Sequence, residues 1–371
     1  MSAADRPDAP SSEDLATRLR DAGFVRFVAR PDGDSVAAVG LLASALDTSG
    51  VPYQISVTSL SERPERSTDA DLTVAIGRSA TDPALTIGVD GPSARTAYAV
   101  ATELGSDRLE LALAGAVAAD GHPGDELATR AVERGIERRP GLGIPTTDPA
   151  DGLAHSTLVH APVSGDLTAT ESAVSGFDLD ETEGRRALAS QVAMTVGADP
   201  DGTARGARRV ERFLHPLSGG PFETIEGYAD VLDALVREQP GLAVAVALGG
   251  VDTETALDIW RAHATAAHET IRTARTGRYD GLFVAQCDGQ PPVGTVARLV
   301  AEFRSPEPLV LVVGDGVAAA RAVGDESPTV GTAIEQTATE FDGLGGGTAT
   351  VGRAQFDADP TEFVAAFKEA V

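Results

Sequence analysis

The chain has 371 residues, 42% of them hydrophobic and 4% aromatic, enough apolar material for about two packed domains. Its 56 Asp and Glu against 30 Lys and Arg give a formal net charge of −26, and Lys368 is the single lysine. That balance argues against a broadly basic nucleic-acid surface. It suits a high-salt cytoplasm, where the Debye length shrinks to about 3 Å at 1 M and an acidic surface stays hydrated without strong self-repulsion. One cysteine, Cys287, excludes an internal disulfide and reads as a small core residue. No run reaches the ~18 apolar residues of a membrane span. The first twenty residues lack a signal peptide's basic start and apolar centre, so a cytoplasmic protein is expected.

In chain order, residues 24–29, 53–58, 72–76 and 85–89 read as short apolar strands suited to a parallel sheet. Helices starting at Val36, near Ser93 and at Asp107 separate them, which predicts a doubly wound α/β layer. Residues 140–215 are rich in glycine and proline and read as a connector with one or two helices. From Pro216 onward, residues 225–236, 242–248, 253–276, 281–285, 295–303, 309–313 and 332–341 are expected to alternate helix and strand. The expected division is 1–150 for a first domain, 151–215 for the connector and 216–371 for a second. Arg205, Arg208 and Arg212 fall on one face if their segment is a continuous helix, where they would grip phosphate or pair with local carboxylates. His263 and His268 are five apart and do not form a metal pair; Trp260 reads as core, and His122 as a surface residue.

The acidic turn after the first strand carries a more specific signal. Arg30-Pro31-Asp32-Gly33-Asp34-Ser35 runs from that strand into an apolar helix, and it resembles the first motif of the DHH phosphoesterase superfamily. There the pattern is His-x-x-Pro-Asp-Gly-Asp and binds manganese. Asp32 and Asp34 are in place here, but Val28 stands at the histidine position. Residues 71–77 resemble the second motif and end in Gly77 in place of an aspartate. Residues 85–92 resemble the strand entering the Asp-His-His signature; Asp90 remains, and Gly91 and Pro92 replace both histidines. Residues 114–120 resemble the fourth motif and keep Asp120. Gly345, Gly346, Gly347 and Thr348 resemble the Gly-Gly-Gly-His loop of the DHH-associated C-terminal domain, with threonine for histidine. Residues 227–249 are similar to a helix and strand of archaeal RecJ-like nucleases that associate with the GINS complex. The resemblance runs from about Phe24 to the end.

The resemblance implies a DHH-type, mainly parallel sheet domain, a smaller α/β DHH-associated domain, and a cleft between them. It implies metal positions at Asp32, Asp34 and Asp120 beside the residual Asp90, and substrate contacts at Arg30 and at residues 345–348. Two-metal hydrolysis needs ions about 3.5–4 Å apart, each with a full ligand set. With Val28, Gly77, Gly91 and Pro92 in the ligand positions, no cofactor is required, and a single Mn or Mg ion is the most that three carboxylates would hold. The expectation is a non-catalytic RecJ-like protein of a halophilic archaeon, acting as a subunit or scaffold of replication or repair machinery. Its partners would be a GINS-like complex and single-stranded DNA or RNA, with no membrane. The alternatives are an active metal-dependent phosphoesterase or single-strand exonuclease, and a nucleotide-binding regulator.

Overall fold

Two sheets organise the chain in a computed structural model, which describes residues 11–58, 69–78, 85–88, 91–324 and 329–371, the side chain of Asp120 excepted. In the first sheet, β1 (Val25–Ala29), β2 (Tyr53–Val57), β3 (Leu72–Ile76) and β4 (Leu85–Ile87) are all parallel, in the order β2-β1-β3-β4. β1 and β3 are short and largely apolar, as strands buried on both faces must be. The helix Gly33–Ser49 is buried along most of its length and stops where Gly50 takes a left-handed φ of 70°. Helices Ser93–Glu103, Leu109–Asp120, Ile225–Glu238 and Pro240–Leu248 pack around it. The crossing with the last of these is close, because a Cβ on Gly40 would lie 2.8 Å from the Ala247 methyl.

The second sheet is mixed. It comprises β5 (Arg275–Tyr279), β6 (Leu282–Gln286), β7 (Leu309–Gly314), β8 (Val317–Ala322), β9 (Leu344–Gly347) and β10 (Val351–Gln355), ordered β5-β6-β7-β8-β10-β9. β6 and β7 are parallel and every other neighbouring pair is antiparallel. β7 is buried throughout, and its alternating residues feed two apolar layers. Val310 and Val312 face one that includes Phe213 and Phe303, while Leu309, Leu311 and Val313 face one that includes Phe363 and Phe367.

The fold is therefore α/β as expected, with three departures in detail. Residues 242–248 form a helix, not a strand: Pro240 opens it and Gly249 closes it at φ 81°. A short apolar run cannot be assigned by periodicity alone, and here contact with the helix Gly33–Ser49 decides it. Residues 140–215 hold five helices instead of one or two: Pro149–His155, Leu167–Val174, Thr182–Gly197, Ala204–Arg209 and Glu211–Leu214. The apolar core under the first sheet also takes in Leu217 to Trp260, while the second sheet begins at Arg275.

Candidate ligand cleft

The residues of the acidic turn do local structural work. Asp32 caps the helix Gly33–Ser49, accepting the Ser35 N–H at 2.8 Å, and it pairs with Arg30 through the guanidinium Nε. Asp34, 5% exposed, reaches over to the helix Ser93–Glu103 and accepts the N–H of Ser93 at 2.7 Å and of Ala94 at 2.8 Å. That helix begins after Pro92, which offers no capping side chain. Its first N–H groups need an acceptor, and a carboxylate delivered through tertiary contact supplies it. Burial, followed by the neighbouring charge of Asp32, pushes the Asp34 carboxyl up to about 7 against the pull of those N–H groups.

The vacated ligand positions are filled. Val28 lies inside β1 at 6% exposure. Gly77 follows β3 with φ +66°, and a Cβ there would stand 2.2 Å from the Ser35 hydroxyl oxygen. Asp90 lies outside the described residues, as does the side chain of Asp120. The backbone of Asp120 ends the helix Leu109–Asp120, the helix expected from Asp107, just before a left-handed Gly121. Among the described residues, no three or more His, Cys, Asp or Glu side chains converge at metal-holding distance. Asp32 and Asp34 are committed to backbone N–H groups and a guanidinium, so these residues do not fit a two-ion centre.

Beside this turn opens a cavity of about 710 Å³. The Asp32 turn, the helix Ile225–Glu238, the helix Val293–Leu299, β8 and β10 contribute to its wall. Seven lining residues are arginines and six are Asp or Glu. In a chain with almost twice as many acids as bases, that makes the cleft rich in arginine, close to charge balance where the chain as a whole carries −26. Asp233 accepts from Arg237 at 2.7 Å and from the Gly33 N–H at 3.3 Å. Burial alone would raise its carboxyl, but Arg237, Arg298 and these bonds prevail and hold it at about 2. Arg298 donates to the Thr157 carbonyl and hydroxyl at 3.0 and 2.9 Å. Asp230, a buried member of this wall, accepts the Thr157 N–H and the Trp260 indole N–H, both at 2.9 Å.

The predicted site residues are brought together only in part. Arg30, Asp32, Asp34 and Thr348 line the cavity. Gly345–Gly347 do not; they form the edge strand β9 instead of a phosphate-cradling loop. Their lack of side chains admits the helix Val330–Glu340, since a Cβ on Gly345 would sit 2.9 Å from the Ile334 carbonyl oxygen. The arginines from 205 to 212 do not present one face to the cavity, although Val210, between the helices Ala204–Arg209 and Glu211–Leu214, keeps helical φ and ψ. Arg205 is turned inward to the carbonyls of Ala301, Ser305 and Glu307, and only Arg209 and Arg212 reach the cavity. His263 and His268 are buried packing residues and Trp260 is core, while His122 is exposed. Arg237, Arg298, Arg321 and Glu302 were not singled out from sequence. Arg298 and Glu302 stand four apart on one helical run, while Arg237 and Arg321 come from the separate elements Ile225–Glu238 and β8, so no local spacing marks the cluster as a whole.

Comparison with known proteins agrees with this architecture. The uncharacterised protein rrnAC1427 of Haloarcula marismortui is 47% identical over 380 residues, covering 100% of both chains. A family model for the C-terminal domain of that protein matches residues 274–369. Among solved structures, CDC45 from Entamoeba histolytica aligns with a TM-score of 0.61 at 10% identity, covering 97% of this chain and 98% of that one. Exonuclease RecJ bound to manganese aligns with a TM-score of 0.53 at 16% identity, covering 98% and 94%. The fold is that of the RecJ-like DHH proteins.

Proposed function

The chain belongs to the family of the Haloarcula marismortui protein rrnAC1427, and we propose that its RecJ-like DHH fold serves as a binding scaffold without phosphoester hydrolysis. The observation that carries this reading is the use of Asp34. A carboxylate in the metal-binding position of the motif is buried and spent on two backbone N–H groups of the helix Ser93–Glu103. A metal ion would have to compete with both donors, and Gly77 and Val28 offer it no replacement ligand.

The cleft keeps a use. Its arginines present donors suited to phosphate oxygens. We assign it to a phosphorylated ligand, with single-stranded nucleic acid as the first candidate and a replication complex of the GINS kind as the protein partner. The likeness to CDC45 supports the replication assignment at the level of fold. A cavity of about 710 Å³ also suits a free nucleotide, which keeps a nucleotide-binding regulator as the second reading. Among the described residues, no helix is long and apolar enough to cross a membrane. We place the protein in a high-salt cytoplasm.

The test combines two assays on the full chain in molar KCl. Single-stranded oligonucleotides should bind by fluorescence anisotropy and survive incubation with Mn²⁺. Manganese-dependent cleavage by wild type that disappears in Asp34→Ala would overturn the scaffold reading and restore the phosphoesterase.

A further inference from the structure

We propose that Arg209, Arg237, Arg298 and Arg321 form a subsite for a phosphomonoester dianion, with Glu302 as its internal placeholder. This rests on the cleft's assignment to a phosphorylated ligand and specifies which part of that ligand is held, and where.

Glu302 lies in a π-helical turn, Val300–Arg304, that continues the helix Val293–Leu299. Such turns are rare and frequently mark functional positions. The turn buries Glu302 at 7% exposure with three guanidinium groups around it. Arg209 lies 3.7 Å and Arg321 3.9 Å from one carboxylate oxygen, and Arg298 lies 4.0 Å from the other. All three distances lie beyond hydrogen-bond range. The arginines are therefore held near a carboxylate without bonding to it.

Unused donors point the same way. Among the described residues, the Nε of Arg321 and both Nε and Nη1 of Arg237 are buried without a hydrogen-bond partner. Leaving such donors unmet is costly, and the cost falls when a ligand oxygen arrives. All four arginines and Glu302 line the same cavity. Against four guanidinium charges stand Glu302, Asp233 and Asp230, so the cluster keeps an excess of one positive charge even with all three carboxylates ionised, and Asp230 is further engaged by Thr157 and Trp260. A phosphomonoester carries roughly −1.5 to −2 at neutral pH and three acceptor oxygens. Guanidinium forks match those oxygens in pairs.

The phosphate could come from a free mononucleotide or from the phosphorylated end of a single strand. Full-length protein in molar KCl would be titrated calorimetrically with AMP, adenosine and inorganic phosphate. A short oligonucleotide would be titrated with and without a terminal phosphate. AMP should bind and adenosine should not, and Arg321→Gln should weaken AMP about tenfold or more. Glu302→Gln should tighten it, because the competing carboxylate is gone; a merely structural ion pair would not give that result. Arg321→Lys, which keeps the charge and loses the fork, controls for misfolding and should bind at an intermediate level. Preference for the phosphorylated oligonucleotide identifies the strand end, and AMP binding without that preference identifies the free nucleotide. If oligonucleotides bind wild type regardless of terminal phosphate, AMP does not bind, and folded Arg321→Gln is unchanged, the subsite falls while the cleft reading stands. If no nucleotide or oligonucleotide binds wild type, both fall.

Discussion

Ser35 occupies the space that any side chain on residue 77 would need: a Cβ on Gly77 would lie 2.2 Å from the Ser35 hydroxyl oxygen. The position that resembles the aspartate of the second DHH motif is thus closed by a neighbour from the acidic turn. The backbone adds to this, since Gly77 sits at φ +66°, a region costly to residues with a Cβ.

Gly77→Asp should therefore fail to rebuild a metal site. It should destabilise the fold by roughly 1–3 kcal/mol from backbone strain alone, before the clash is counted. Chemical denaturation of wild type, Gly77→Asp and the relief variant Gly77→Asp/Ser35→Gly would check this. A single variant as stable as wild type that also gains Mn²⁺ affinity would refute it.

Asp34→Ala should loosen the start of the helix Ser93–Glu103. It leaves two buried N–H groups without an acceptor, at a cost of about 1–3 kcal/mol each when no water replaces the carboxylate. Asp34→Asn keeps one acceptor oxygen and should fall between the two. Hydrogen exchange at the Ser93 and Ala94 amides reads the effect locally; amides as protected in Asp34→Ala as in wild type would contradict the capping role.

Gly345→Val should destabilise the second sheet through steric overlap with Ile334 and Ala338 of the helix Val330–Glu340, by roughly 1–3 kcal/mol. Ligand affinity in the folded variant should hold, because Gly345 lies outside the cavity wall. A large loss of oligonucleotide binding at unchanged stability would reinstate the glycine run as a ligand-contacting element.

His160 and His268 form a buried pair with Nδ1 to Nδ1 at 3.0 Å, and His268 Nε2 lies 3.0 Å from the Ser156 carbonyl oxygen. The carbonyl can only accept, so His268 Nε2 carries the proton and donates. Its Nδ1 then accepts, and His160 Nδ1 donates to it. Burial first, with nearby positive charge adding, lowers His268 to about 4 and His160 to about 2. The folded pair stays neutral where the unfolded histidines, near 6.5, take up protons. Stability from this pair is complete above about pH 6.5 and is lost as pH falls toward 4, on the order of 1 kcal/mol per pH unit for each histidine. Asp34 and Glu226, both pushed up to about 7 mainly by burial, act in the opposite sense, since the folded state binds their protons first as pH falls from 7. Urea denaturation between pH 4 and 8 should show a shallower acid limb in a His160→Gln/His268→Gln double variant. An unaltered limb would place the acid sensitivity elsewhere.

The sequence by itself determined the class of fold, because the period of its apolar residues and the acidic turn at residues 30–35 are local signals. Strands β1, β3 and β4 and the helix Gly33–Ser49 were legible in this way. The helix Pro240–Leu248 was not, since a nine-residue apolar segment buries equally well as helix or strand until its neighbours are known. Only the tertiary structure decided the fate of the remaining carboxylates. Nothing in the order of residues says that Asp34 meets the amide of Ser93, 59 positions away. The arginine cluster was hidden for the same reason. Arg209, Arg237, Arg298 and Arg321 are scattered over more than a hundred positions in an acidic chain, and they become one cationic site only when the two sheets and their helices close around a common cavity.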